Sequence, residues 1–216
     1  MFFSFDGIDG VGKSTQLRRF CEWLARPRGE PGVCRDPGST PVGERIREIL
    51  LASGDDEPIA PRTEMLLYMA ARAQLVAEVI APAQAAGRVV VCDRFLLANI
   101  VYQGHAGGVD VEQVRSIGGI ATAGTTPDCT FLLDMDPAAA HARLDRSLDR
   151  MERRGEEFRE RLRAGFLAEA RRMGPAVHVI DAARSADEVQ REVIAVATSL
   201  LDAGKQQAAA NRTPPG

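Results

Sequence analysis

Apolar and polar positions along this chain switch repeatedly between a strand period and a helix period, and the switching predicts a layered α/β domain. Residues 2–6 are a short apolar run with β-favouring aromatics, ended by Asp6-Gly7. From residue 13 to residue 25 the apolar positions Leu17, Phe20, Cys21 and Leu24 form the stripe of an amphipathic helix. Pro27, Gly29, Pro31 and Gly32 then break the chain. Val33-Cys34 reads as a short strand running into the turn Arg35-Asp36-Pro37-Gly38. Helices follow over 41–51, where Val42, Ile46, Ile49 and Leu50 share a face, and over 62–85, where Pro82 marks a kink or an early end.

The second half repeats the scheme. Residues 88–92 form a continuous β-branched run of the kind that suits a strand buried on both faces. A helix is expected across 98–103, then glycine-rich 104–108, then a helix over 111–121. Residues 129–133 (CTFLL) read as another buried strand, 137–163 as a strongly charged helical stretch, 176–180 as a last strand and 187–201 as a last amphipathic helix. Strands alternating with helices imply a parallel sheet covered on both faces by right-handed crossovers. No internal repeat and no second-domain boundary interrupts it, so residues 1–203 are expected to be one domain. The tail 204–216 is expected to be disordered.

Composition changes this picture little. At 216 residues the chain is long enough for one substantial core, and its net charge of −3 gives no global attraction to nucleic acid or anionic membrane. Phosphates, if bound, must be held by local groups. The cysteines at 21, 34, 92 and 129 are scattered without CxxC spacing, which points to buried thiols in a reducing compartment. The N-terminus carries no basic leader, and no run was found of the roughly 18 apolar residues expected of a membrane span. The expectation is a cytoplasmic protein. His105, His141 and His178 share no ligand spacing and are read as structural or exposed; Trp23 is read as core.

Residues 7–14 (GIDGVGKS) do change it. Gly-x4-Gly-Lys-Ser between a strand and a helix is a complete phosphate-binding loop made of Gly7, Ile8, Asp9, Gly10, Val11, Gly12, Lys13 and Ser14, with Thr15 following. The glycines let backbone N–H groups turn toward phosphate oxygens, Lys13 can reach the β- and γ-phosphates, and the Ser14 hydroxyl can ligate Mg2+. The loop implies ATP as phosphoryl donor with Mg2+. An NKxD element for guanine is absent, and the buried strand ends in Cys92-Asp93-Arg94 rather than Asp-Glu. An arginine after the strand-end acid suggests a second anionic substrate, hence a kinase.

FDGIDGVGKST, RDPGSTPVGERIREIL, AARAQLV, CDRFLLANIVYQG and PDCTFLLDMDP, in this order and from Phe3 to about Asp181, resemble bacterial thymidylate kinases. The resemblance implies a P-loop NTPase three-layer fold, α/β, with a five-stranded parallel sheet flanked by helices and a helical lid at about 141–156. It implies transfer of the ATP γ-phosphate to thymidylate, and a homodimer. Tyr68 and Arg72 lie four apart on one helical face. Taken alone they suit a core tyrosine and a snorkelling arginine; the resemblance makes Tyr68 the stacking partner of thymine and Arg72 a donor to its O4. Arg94 would clamp the thymidylate phosphate, and Asp93 would be a partner of Mg2+. Asn99, Tyr102 and Gln103 would lie near base and sugar, Asp36 and Pro37 near the acceptor nucleotide, Arg47 at its phosphate, and Asp9 at its ribose or phosphate.

Arg143, Arg146, Arg150 and Arg153 align along one helical face with Asp145, Asp149 and Glu152 nearby, as a solvated salt-bridged helix would. The resemblance instead implies that the lid supplies an arginine to the transferring group, Arg146 or Arg150, because the loop carries Gly10 where some relatives carry arginine. Departures from the family pattern are Asp36 for Glu, Phe95 for Tyr, Ala98 for Ser, Ser39 for Gly and Gly107 for Arg. They leave open a P-loop kinase for another nucleotide or small anion, or a nucleotide-binding homologue without catalysis.

Overall fold

The computed structural model describes residues 1–52, 58–144 and 154–210. Five parallel strands, β1 (Phe2–Asp6), β2 (Gly32–Arg35), β3 (Val90–Asp93), β4 (Cys129–Asp134) and β5 (Val177–Asp181), form one sheet in the order β2-β3-β1-β4-β5. The phosphate-binding loop leaves the central strand β1, next to β3, where the strand order reverses. Ligands of open α/β sheets bind at that crevice.

Alternating side chains on the strands build a core on each face. Phe3, Phe5, Val91 and Phe131 join Phe20 and Leu24 of α1 (Lys13–Arg28), Phe158, Leu162 and Phe166 of α8 (Glu156–Met173), and Val189 and Val193 of α9 (Ala186–Ala210). Phe2, Val90, Cys92 and Cys34 face the other way, onto Leu75, Val76, Ile80 and Phe95. Trp23 is only half-buried and stacks on Phe20, with ring centroids 5.6 Å apart.

Several helices differ from their sequence pattern. The stretch expected as one helix over 62–85 is α3 (Pro61–Leu75), a π-helical turn Val76–Ile80 and α4 (Ala81–Ala85). Pro82 has no N–H and its ring crowds the carbonyl four residues back; the wider turn ahead of it, with Ala81 N donating to Val76 O, accommodates it without a break. This rod is also long and apolar enough to cross a membrane, contrary to the expectation that no such segment exists. Yet it buries Glu64 and Arg72 and packs on α2 (Pro41–Ala52) and α6 (Val111–Thr122), as a core helix does.

The helix expected at 98–103 starts earlier, as α5 (Leu96–Asn99), and continues as a second π turn, Ile100–His105. The charged stretch 137–163 is two helices, α7 (Pro137–Ala142) and α8, and α8 runs on to Met173. Arg146, Arg150 and most of the expected lid lie outside the described residues. The final helix extends to Ala210, so 204–210 of the expected disordered tail are helical, and 211–216 lie outside the described residues.

Candidate functional site

The loop between β1 and α1 is shaped by backbone that only glycine tolerates easily. Gly10 has φ of 88°, and a Cβ there would sit 2.0 Å from the carbonyl oxygen of Ala140 on α7. Position 10 is therefore closed to a side chain by the backbone of α7. Ile8 and Val11 turn into the core, so the loop offers its backbone and not these side chains to a ligand.

Lys13 Nζ donates to Gly7 O at 3.0 Å and Ile8 O at 2.7 Å, and lies 3.4 Å from Asp9 Oδ1. Arg94 reaches the same place from the end of β3, donating to Gly7 O at 2.9 Å and to Asp9 Oδ1 at 2.5 Å. The Tyr102 hydroxyl donates to Asp9 Oδ2 at 3.2 Å, and the Arg94 guanidinium lies over the Tyr102 ring. Arg94 holds φ of 66°, an unusual backbone for a non-glycine residue that aims its side chain across the strand end.

Burial alone would raise the Asp9 carboxyl, but Arg94 and Lys13 hold it well below the usual carboxylate range. Burial lowers Lys13, with Arg94 adding to the effect; burial also works against the charge on Arg94, but Asp9, Tyr102, Asp93 and Asp6 together raise it. Behind them Asp6, fully buried at the end of β1, is pushed up to about 7 by burial, against the pull of Arg94 and Lys13.

A second half of the site is built from α3, α5 and the turn after β2. Arg72 is 1% exposed, and its Nε donates to Asp36 Oδ2 at 2.5 Å while Nη1 donates to Asn99 Oδ1 at 2.8 Å. Burial pushes the Asp36 carboxyl up and Arg72 pulls it back. The shorter acid at position 36 still reaches its arginine. Phe95 lies under the same guanidinium, 5.7 Å from ring centroid to Cζ. Arg47 Nη1 donates to Pro37 O at 3.1 Å. Gly107 has Tyr102 O and Gln103 O at 2.6 and 2.7 Å from where a Cβ would be, so the π turn leaves no room for a side chain there.

Both halves open onto one cleft of about 660 Å³. It is lined by Asp9, Gly10, Gly12, Lys13, Ser14 and Thr15 on one side and by Asp36, Pro37, Arg47, Tyr68, Arg72, Asn99, Tyr102 and Gln103 on the other, with Asp93 and Arg94 between. That size suits small-molecule ligands. Among the described residues, Gly7, Ile8 and Val11 are the predicted site residues that do not line it. Sequence reasoning missed Arg35, which also lines the cleft and pairs with Glu44 at 2.7 Å; its place beside Asp36 was the available signal. Arg143 lines it too, the one member of the arginine row within the described residues.

For a divalent cation, Ser14 opens to the cleft and Asp93 Oδ1 is buried without a hydrogen-bond partner. Among the described residues no group of three His, Cys, Asp or Glu side chains is placed to hold a metal. One hydroxyl and one uncommitted carboxylate oxygen fit Mg2+, which takes its remaining ligands from phosphates and water.

The family described as thymidylate kinase matches residues 5–193. The chain is 45% identical to a thymidylate kinase of Exiguobacterium over 209 residues, covering 96% of this chain and 98% of that protein. It is 46% identical to one from Pelotomaculum thermopropionicum, covering 94% of each. The crystal structure of thymidylate kinase from Ehrlichia chaffeensis superposes with a TM-score of 0.74 at 30% identity, over 91% of this chain and 97% of that one.

Proposed function

The chain belongs to the thymidylate kinase family, and from that premise we propose that it transfers the γ-phosphoryl group of ATP to thymidylate, giving ADP and thymidine diphosphate for DNA precursor synthesis. The observation that carries this reading is the single cleft in which Lys13 and Ser14 face Arg94 and the buried Arg72–Asn99 pair.

An oxygen of the thymidylate phosphate attacks the γ-phosphorus in line, and the bond to the β,γ-bridging oxygen breaks as ADP leaves. No protein nucleophile is required; the protein positions two anions and neutralises their charge. The loop N–H groups and Lys13 hold the ATP phosphates, and Arg94 holds the acceptor phosphate. Asp9 keeps Lys13 and Arg94 close together and charged. Tyr68 stacks on the base, while Arg72, Asn99 and Gln103 read its edge; Asp36 and Pro37 shape the acceptor side and Arg47 adds a second phosphate contact. Tyr102 fills the space beside the sugar. Ser14 and Asp93 would hold Mg2+, which when bound neutralises charge on the donor phosphates. A lid arginine, Arg146 or Arg150, completes the charge stabilisation.

The protein is further read as a cytoplasmic homodimer. Its four free cysteines suit a reducing compartment. Leu66, Ala70, Ala73 and Ala77 form an exposed apolar stripe on the rod begun by α3, on the side away from Tyr68 and Arg72. A coupled assay of ADP release with MgATP and a panel of nucleoside monophosphates tests the activity. Thymidylate is expected to be the best acceptor; faster turnover of uridylate or deoxycytidylate would overturn the reading.

A further inference from the structure

Glu64, Tyr68 and Arg72 fall at i, i+4 and i+8 on α3 and so share one face. Tyr68 and Arg72 line the cleft, but Glu64 does not; it is 4% exposed and stands behind it. Its Oε1 accepts a hydrogen bond from Gln103 Nε2 at 2.8 Å. Gln103 Oε1 in turn accepts from Asn99 Nδ2 at 2.5 Å, and Asn99 Oδ1 accepts from Arg72. The chain Glu64–Gln103–Asn99–Arg72–Asp36 is buried throughout.

The two groups that flank the amides in this chain, Glu64 and Arg72, differ in kind. A guanidinium only donates and a carboxylate only accepts, so the orientation of both amides between them is dictated chemically. Asn99 must turn its oxygen to Arg72, which leaves its N–H for Gln103. Gln103 must then turn its oxygen to Asn99 and its N–H toward position 64. Each amide retains one N–H and one lone pair for a ligand in the cleft. A pyrimidine with a 4-carbonyl and N3–H presents the reverse donor–acceptor pattern from one with a 4-amino group and bare N3. Reversing an amide exchanges the pattern that the cleft accepts.

We infer that Glu64 is a positioning residue for base selection, fixing the Gln103 amide by its acceptor and so favouring 4-oxo over 4-amino pyrimidines. This rests on the proposed thymidylate reading. A purely structural role is available for comparison: Glu64 lies in the first turn of α3, where a negative charge favours the helix. The two roles predict opposite orders for two conservative variants. Glu64→Gln keeps an acceptor at full reach and loses the charge, whereas Glu64→Asp keeps the charge and withdraws the acceptor by one methylene.

The test is steady-state kinetics of wild type, Glu64→Gln and Glu64→Asp with thymidylate, deoxycytidylate and ATP. Glu64→Asp is expected to raise KM for thymidylate about tenfold, the effect of one buried donor left unpaired, with KM for ATP unchanged. Its preference for thymidylate over deoxycytidylate in kcat/KM should fall by a similar factor. Glu64→Gln should stay within about twofold of wild type in both measures. The inference is overturned if the Gln variant is impaired as much as the Asp variant, if neither is impaired, or if KM for ATP rises in step with that for thymidylate. Wild type that turns over no thymidylate would instead remove the proposed function itself.

Discussion

Asp9 and Asp6 sit three residues apart in the chain and behave oppositely: Arg94 and Lys13, in contact with Asp9, together outweigh its burial, whereas at fully buried Asp6 burial outweighs their pull. In the proposed reaction Lys13 and Arg94 neutralise the transferring group, so removing either strips charge from it. Lys13→Ala and Arg94→Ala should each lower kcat by about 10² or more, checked by the coupled assay at saturating substrates. Tyr68→Ala should act mainly on KM for thymidylate. Asp6 predicts a pH effect on stability. In the unfolded chain its carboxyl ionises near 3.8, in the folded protein near 7. Between those values the folded state binds more protons, so stability falls as pH rises through this window and the full penalty is present above it. Asp6→Asn should therefore gain stability relative to wild type between about pH 4 and pH 7, read from urea midpoints. A difference independent of pH would show that Asp6 ionises normally.

At the scale of elements, the loop and the five strands were legible because their chemistry is local: Gly-x4-Gly-Lys-Ser needs no distant partner, and a β-branched run such as 88–92 declares its burial. The two π turns were not. A π turn absorbs its extra residue without breaking the rod, and one shift of phase in a short apolar stripe is not distinctive, so only Pro82 hinted at the first and nothing at the second. Contacts across the fold were equally hidden. Glu169 of α8 is 1% exposed and gathers His105, Arg115 and Arg172, tying the second π turn and α6 to α8, and two of those partners lie 64 and 54 residues away. Glu64 was visible on the stripe of Tyr68 and Arg72, but its partner Gln103 lies 39 residues on. The loop glycines supply a prediction at this scale. Gly12→Ala meets nothing within 4 Å and carries only the strain of φ 94°, whereas Gly10→Ala also drives a methyl group into the backbone of α7. Strain of about 1–3 kcal/mol corresponds to a few degrees in Tm for each kcal/mol in a chain of this size. Gly10→Ala should lower Tm at least about twice as much as Gly12→Ala. Equal losses by calorimetry would mean that α7 yields without resistance.

For the whole molecule the question is what covers α3 from outside. One side of this helix is committed to the site through Tyr68 and Arg72, and the rod it begins has only 39% of its most apolar stretch buried within one chain. Leu66 is 52% exposed, and Val42 and Ile49 on the neighbouring α2 are 45% and 51% exposed. Apolar residues spread over two packed helices make a patch that a second copy can bury, with the small side chains of Ala70, Ala73 and Ala77 allowing close approach. Leu66→Glu places a charge on this exposed apolar side of α3 without touching the cleft. Sedimentation equilibrium should show wild type at twice the 23.3 kDa of one chain, and Leu66→Glu at the monomer mass. Because the same helix presents Tyr68 and Arg72 on its other side, loosening its outer support should raise KM for thymidylate while sparing KM for ATP, whose proposed site is the loop between β1 and α1. Wild type sedimenting at 23.3 kDa would remove the dimer from the account, and a variant that remained dimeric would move the interface off α3.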